Sequence, residues 1–243
     1  MKFNFAVVIP MANEQEDFYP LIYRLKEVLA YIGSGKVYFI IDNASKDDTL
    51  LLCNKLSDED SSFETVWAPS NKNVVDAYLK GYSVALANNH EYIIEMDAGL
   101  SHDPKALPMF LRVLNEGNEC AFGSRFINGG SICDSNWKRT FLSRFGTILS
   151  NLLLGTKMFD MTSGYQGFHS SVVEKFLSHG LLSEAHFYQT ELRYLLRNSR
   201  YAEIPIHYRA PSPSVSKKAI YNSFDVLLHY FFLRVKLKEA EIK

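Results

Sequence analysis

Short apolar runs, each ending in a polar tip and followed by residues at helical spacing, alternate along most of the chain. Phe3 to Ile9 reads as a first buried strand that Pro10 ends. The polar run MANEQEDF then leads into an amphipathic helix from Leu21 to Ile32. Val37 to Ile41 predicts a second buried strand ending at Asp42, and Ser45 with Asp48 reads as a capping box opening a helix through Leu56. Phe63 to Trp67 predicts a short strand. Val74 to Ala87 predicts a helix whose Ala77, Gly81 and Ala85 give one face room for close packing. Tyr92 to Met96 has the length and residue types of a central strand. It stops at Asp97, before the flexible pair Ala98 and Gly99. Asp103 suits the cap, and Pro104 the first turn, of a helix running to about Asn115. Cys120 to Gly123 reads as a further strand.

Beyond Gly123 the pattern changes. GSRFINGGSICDSNWKRTFLSRFG is glycine-rich, carries Arg125, Lys138, Arg139 and Arg144, and reads as a functional loop entering a helix from about Lys138 to Leu154. DMTSGYQGF predicts a tight polar connection. Helices around Ser171 to Ser178 and Tyr188 to Asn198 precede a strand from Ala202 to Tyr208, and APSPSVSKK reads as a mobile loop or lid. The stretch from Ala219 to Leu237 predicts a helix rich in Phe, Tyr and Leu with basic residues toward its end. Packing on a core and lying on an anionic membrane both fit it. Repeated alternation of strands and helices predicts an α/β fold with a mostly parallel central sheet covered on both faces. No internal repeat is evident.

A chain of 243 residues, 47% hydrophobic, is long enough for one sizeable α/β domain. A formal net charge of −1 excludes the global positive field of a non-specific nucleic-acid binder, so no nucleic-acid partner is expected. Cys53, Cys120 and Cys133 are an odd number of thiols in a chain that needs no staples, which fits a reducing compartment. The opening MKFNFAVVIP reads as a strand rather than a secretion signal, and no run reaches the roughly 18 apolar residues of a spanning helix. A cytoplasmic protein is expected.

Asp42 and Asp97 end separate strands, and the C-terminal ends of parallel strands open on one side of a sheet, where ligands bind. With Asn13 and Glu14 after the first strand they form one polar rim, able to accept the hydroxyls and ring N–H groups of a nucleotide. Each acid taken separately is also a plausible helix cap. Neither a Walker loop nor a GxGxxG motif occurs, so a nucleotide would be held by other means.

Several stretches, in order, resemble family 2 glycosyltransferases of the GT-A (Rossmann-like) fold. IPMANE resembles their IPTYNE-type opening and IIDNASKDDT their VVDDGSTDGT. Asn71 and Asn73 followed by Ala77, Gly81 and Ala85 are similar to NxGxxxAxxxGxxxA, with Asn73 where glycine is usual. MDAGLSHDP resembles MDADLSHDP. GSRFINGG with Trp137, Arg139 and Ser143, then DMTSGYQGF, QTEL and EIPIHY with Ser216 and Lys217, resemble the polyprenol-phosphate hexosyltransferases, the dolichol-phosphate mannose synthase group. The resemblance spans Ala6 to about Lys217. It divides the chain into a catalytic domain, 1–217, and a C-terminal amphipathic helix, 218–243.

The resemblance implies an inverting transfer of a hexose from a nucleotide-diphosphate sugar to a polyprenyl (dolichyl or undecaprenyl) phosphate in glycan biosynthesis, at the cytoplasmic face of a membrane that 219–237 would touch peripherally. Pro10, Ala12, Asn13, Glu14, Asp42, Asn71, Asp97 and Ala98 would then line the nucleotide-sugar site, with Asp42 on the base and Asp97 near the ribose or diphosphate. Arg125, Arg139 and Ser143 would hold the acceptor phosphate, and Lys217 would bring a further charge from its loop. A divalent cation, Mg or Mn, is implied with Asp97. Gly99 stands where the family commonly has a second aspartate, so His102 or Asp103 would have to complete the site. Pro211 and Ser214 likewise depart from the arginine and glycine that often precede the family's SK pair. Two other readings stay open. One is a transferase to a sugar hydroxyl in surface polysaccharide or glycolipid assembly, with Asp160, Ser163 or Glu191 on the acceptor side or as base. The other is a nucleotide-sugar-binding subunit without turnover.

Overall fold

The structure is a computed structural model that describes residues 3–33, 35–133, 137–209, 217–238 and 240–242, without the side chains at 138 and 139. The first half alternates strand and helix: β1 (Phe5–Met11), α1 (Phe18–Ile32), β2 (Gly35–Ile41), α2 (Thr49–Glu59), β3 (Phe63–Trp67), α3 (Val74–Ala87) and β4 (Tyr92–Glu95). A short 3-10 turn (Pro104–Ala106) leads into α4 (Leu107–Asn115). Then come β5 (Cys120–Ser124), β6 (Ser131–Cys133), α5 (Trp137–Leu154), β7 (Gln166–His169), α6 (Ser170–His179), α7 (Tyr188–Leu195), β8 (Tyr201–Pro205), β9 (His207–Arg209) and α8 (Lys217–Val235).

Seven strands form one sheet in the order β3-β2-β1-β4-β7-β5-β8, and β6 pairs with β9 beside it. Every pairing in the main sheet is parallel except those of β7, which runs antiparallel between β4 and β5. The expected α/β architecture with helices on both faces is therefore present. Alternation along each strand divides its side chains between two cores. Phe5, Val7, Ile9 and Met11 of β1 and Val37, Phe39 and Ile41 of β2 face α1, α2 and α4. Ala6, Val8, Tyr38 and Ile40 face α3 and the later helices. Val226, Leu227 and Tyr230 carry α8 into that second core, so the helix packs on the fold through one side.

Several expectations are corrected. Pro10 does not end β1, which runs on to Met11. The Val8 carbonyl accepts from Met96 N, so the backbone of even-numbered β1 residues points toward β4. By Pro10 the pairing with β4 has ended, so its missing N–H leaves no bond unmade. Ser45 does not cap α2. Asp47 Oδ1 accepts from Thr49 N at 3.1 Å and from Thr49 Oγ1 at 2.6 Å, and the helix starts at Thr49. The polar connection DMTSGYQGF contains the interior strand β7. Its Gly167 is packed so closely that an added Cβ would stand 3.1 Å from Phe110 Cδ1 and 3.2 Å from Ile94 Cγ1. The strand expected from Ala202 to Tyr208 breaks at Ile206, where the chain leaves the main sheet to pair with β6. Of the expected lid segment, 210–218, residues 210–216 lie outside the described residues, and Lys217 and Lys218 form the first turn of α8.

The small-residue face of α3 packs as its spacing predicts. A Cβ at Gly81 would fall 2.1 Å from Val8 Cγ1. Gly81→Ala is expected to lower unfolding stability by about 1–3 kcal/mol through overpacking. A urea melt with an unchanged midpoint would argue against that close approach.

Candidate active site

Four parallel strands, β3, β2, β1 and β4, present their C-terminal tips at one edge, with Asn71, Asp42, the Ala12–Glu14 loop and Asp97 just beyond them. The loops after β1 and β2 are stitched together. Asn13, at φ 59°, donates from Nδ2 to the Ala44 carbonyl at 3.1 Å and accepts Lys46 N at 2.8 Å. Glu14 N donates to Thr49 Oγ1 at 2.9 Å. The Asn13 side chain is thus spent on holding the rim, while the carboxylate of Glu14 is left half-buried at it. Asp42 Oδ1 accepts Ala44 N at 2.8 Å, a turn that leaves Oδ2 available. Asn71 Nδ2 is a buried donor with no hydrogen-bond partner among the described residues.

Asp97 is held from beneath. The hydroxyl of buried Tyr78, reaching up from α3, donates to its Oδ1 at 2.6 Å, and its backbone N donates to His102 Nδ1 at 3.0 Å. Because Nδ1 accepts, the imidazole proton is assigned to Nε2. Burial lowers the imidazole pKa, opposed by Asp97 and assisted by Arg125, so the ring is neutral and its 3.8 Å approach to Asp97 is not an ion pair. His102 is therefore not a metal ligand: one nitrogen is engaged and the other carries the proton. Its ring stacks on Tyr165 at 4.8 Å and lies 5.4 Å from the Tyr208 ring, while its backbone forms an antiparallel β-bridge with Tyr208 of β9. Asp103 caps the 3-10 turn through Lys105 N at 3.0 Å, as its position before Pro104 suggests.

Below Asp97 lies Glu95, fully buried between the Tyr82 hydroxyl and Gln166 Nε2, the latter at 2.8 Å. Burial pushes its carboxyl up to about 8, with hydrogen bonds from Tyr82 and Gln166 pulling down and the Asp97 charge adding to the rise. Glu95, Tyr78 and Tyr82 were not singled out from the sequence. Glu95 follows three apolar residues inside a strand, where a carboxylate in an otherwise apolar run was the available signal.

Across Tyr208 from His102 sits Arg125, whose guanidinium lies 5.4 Å from the Tyr208 ring. It is 7% exposed, and its fork is already taken: Nε and Nη2 donate to the two oxygens of Asp160 at 2.7 and 2.8 Å, and Nη2 reaches Thr162 at 2.6 Å. A bidentate grip on an acceptor phosphate through that edge is excluded, leaving Nη1. Asp160 in turn is no base. Burial alone would raise its carboxyl, but hydrogen bonding to Arg125 and the charges of Arg125 and Arg193 outweigh it and hold the group below its usual range. Glu191 is no base either. Fully buried, it accepts Leu182 N at 2.8 Å, Ser183 N at 2.9 Å and the Tyr230 hydroxyl at 2.7 Å, joining α7 to α8. Ser163 is buried, and its carbonyl receives Arg193 Nη2 at 2.8 Å. Ser143 lies half-buried on α5, Lys217 opens α8 exposed, and the Arg139 side chain is outside the described residues. Arg144 reaches the Arg125 neighbourhood instead, 4.8 Å over the Phe126 ring.

The buried carboxyl of Glu95 gives a pH signature. Between about 4.5 and 8 the folded protein keeps a proton that the unfolded chain has lost. Stability therefore falls as pH rises through that window, by up to about 1.4 kcal/mol per unit. Glu95→Gln is expected to flatten this slope in denaturant melts at pH 5, 6.5 and 8, and parallel slopes in the two proteins would refute it.

Comparison with known proteins agrees with this geometry. Residues 6–177 match the family description "Glycosyl transferase family 2". The polyprenol monophosphomannose synthase of Mycolicibacterium smegmatis is 29% identical over 214 residues, 87% of this chain and 79% of that protein. The undecaprenyl-phosphate mannosyltransferase of Micrococcus luteus is 25% identical over 203 residues, covering 83% and 82%. The fold is that of glucosyl-3-phosphoglycerate synthase from Mycobacterium tuberculosis, crystallised with UDP: TM-score 0.69, 16% identity, 93% of this chain and 79% of that one. A second crystal of that synthase, with Mn2+, UDP-glucose and phosphoglyceric acid, gives a TM-score of 0.68 at 14% identity, covering 96% and 79%. Because the family match takes in well over half of the 243 residues, the chain belongs to glycosyl transferase family 2 and is a glycosyltransferase enzyme of the GT-A fold.

Proposed function

We propose that the protein moves a hexose from a nucleotide-sugar to a polyprenyl phosphate. The observation that carries this reading is the loss of both candidate bases, with Asp160 locked to Arg125 and Glu191 locked to Tyr230. A sugar-hydroxyl acceptor needs a base. A phosphate monoester, with a second pKa of about 6, is already anionic at neutral pH and does not. The relatives named for polyprenol and undecaprenyl phosphate support the same choice.

In this reading the nucleotide lies along the rim of Asn71, Asp42, the Ala12–Glu14 loop and Asp97. An oxygen of the lipid phosphate attacks the anomeric carbon from the opposite face. The bond from that carbon to the nucleotide's diphosphate breaks, the configuration inverts, and the nucleoside diphosphate leaves with the bonding electrons. In this reading Arg125 faces the acceptor through Nη1, and Ser143 and Lys217 would serve the same acceptor. Magnesium or manganese suits the tip of β4, because Asp97 Oδ2 is a hard oxygen that takes no hydrogen bond among the described residues. Those residues gather no group of three or more His, Cys, Asp or Glu for a metal, so diphosphate oxygens would supply much of the coordination. A cation there would offset charge growing on the leaving group.

A lipid acceptor also calls for a surface that meets lipid. No helix of the described residues is long and apolar enough to cross a membrane. Instead α5 exposes Trp137, Phe141, Leu142, Phe145, Ile148 and Leu152, and the neighbouring α8 exposes Phe224, Leu228 and Phe232. Such an apolar area is larger than scattered surface residues explain. Basic residues Arg144, Lys217, Lys218 and Lys236 lie on the same two helices or just after them, as on an amphipathic interface that lies on anionic lipid. Peripheral docking through both helices, at the cytoplasmic face, follows from this reading. Free Cys53, Cys120 and Cys133 are consistent with a reducing compartment.

Incubation with a panel of nucleotide-sugars and a short polyprenyl phosphate, with mass analysis of the lipid fraction, is expected to find a hexosyl phospholipid. Sugar appearing only on carbohydrate acceptors would overturn the reading. Phe141→Ser with Leu152→Ser is expected to weaken co-sedimentation with anionic vesicles by about tenfold or more, since the pair would contribute several kcal/mol at full burial, at roughly 1.5–3 kcal/mol each, and less when partly inserted. Vesicle binding unchanged by the pair would remove α5 from the docking surface.

A further inference from the structure

Glu14 has an unusual setting. Its carboxylate is half-buried at the rim, and among the described residues no hydrogen bond or ion pair reaches it. The charges it does feel are those of Asp17, Asp97 and Asp47, all of its own sign. A carboxylate placed among carboxylates is stabilised only by a proton or by a cation that the rim receives. Its position is also tied to a missing side chain. Gly99, at φ 66°, faces it so closely that an added Cβ would lie 3.1 Å from Glu14 Oε2. Glu14 Oε2 thus lies where a side chain at position 99 would begin.

The strand order explains the meeting. β1 and β4 are parallel neighbours, Glu14 follows the tip of β1 and Asp97 the tip of β4, so the two acids come to one edge of the sheet, where the charge of Asp97 reaches Glu14. Each is fixed from behind, Glu14 through its backbone on Thr49 and Asp97 through the Tyr78 hydroxyl. His102 has Nδ1 engaged by the Asp97 backbone N–H and the proton assigned to its buried Nε2, while Asp103 is drawn to capping the 3-10 turn through Oδ1. We infer that Glu14 is the second protein ligand of the divalent cation, working with Asp97, and that glycine at position 99 is what leaves its carboxylate room to do so. With only two carboxylates, the cation is held jointly with the nucleotide's diphosphate. The protein alone therefore binds it poorly. The inference rests on the nucleotide-sugar reading of the rim and adds the identity of the ligand.

The test measures Mn2+ binding by electron paramagnetic resonance and by calorimetry, with and without UDP or GDP. Wild type is expected to bind Mn2+ at least tenfold more tightly with one of the diphosphates present. Glu14→Gln is expected to lose tenfold or more of that Mn2+ affinity, on the scale of removing a group that supports a metal site. This loss exceeds any loss of diphosphate affinity measured in EDTA. Adding Gly99→Asp to Glu14→Ala, which clears the room that Glu14 fills, is expected to recover Mn2+ binding, because aspartate tolerates a left-handed backbone and its carboxylate enters that space. The rescue also separates a ligand role from a folding defect. Glu14→Gln with wild-type Mn2+ affinity, or with equal losses in Mn2+ and in EDTA, overturns the inference. So does a double variant that stays as weak as the single one. Those outcomes leave the acceptor assignment standing if wild type makes the hexosyl phospholipid. A protein that binds Mn2+ as described yet glycosylates only carbohydrates loses the acceptor assignment alone.

Discussion

Parallel pairing of β2, β1 and β4 is the constraint from which the site follows. Because Phe5 pairs with Gly35 on one side and Tyr92 on the other, three strands end within a few residues of each other and on the same edge. Whatever polar residue the sequence sets after each strand must then face its neighbours across β1. The chain sets Asp42, Glu14 and Asp97 there, and gives Glu14 no positive side chain among the described residues. Like charges so gathered are unfavourable unless a proton or a cation enters among them, which marks this edge as the candidate binding site.

The buried acids tell a different story from those at the rim. Asp160 and Glu191 are surrounded by donors that satisfy their oxygens, so their charge is compensated and their chemistry is closed. Arg193, fully buried, donates to the carbonyls of Asp160 and Ser163 and holds the turn that Asp160 opens. Glu95 answers burial in the other way, by keeping its proton. The residue type alone does not distinguish these outcomes; the partners do.

Strand and helix order, the two-sided core and the location of the polar rim were legible in the sequence, because alternation within strands and small-residue spacing on α3 are local signals. β7 was not. Four residues, one of them glycine, carry no period, and their strand state comes from pairing with β4 and β5 on both sides. The part played by Pro10 depended on where β4 stops, a fact of its neighbour and not of the proline. Motif resemblance brought out Asp97 and Arg125 but assigned the arginine's fork to a ligand, whereas Asp160, distant in sequence, already occupies it. The closeness of Glu14 to Gly99 likewise joins positions far apart in the chain, which no spacing rule reaches.

The hydrogen bond from Tyr230 to Glu191 bears on the docking at a bilayer proposed above. Detaching α8 would strand an interior anion without one of its three donors, at a cost of about 1.5–3 kcal/mol for a bond to a charged group, besides uncovering Val226 and Leu227. The C-terminal helix is consequently a fixed wall of the body and not a tether. In the proposed docking the molecule would settle on a lipid sheet as a rigid wedge, its tilt dictated by the angle between two packed helices, and the fold itself would set the depth at which the catalytic mouth rides above the headgroups.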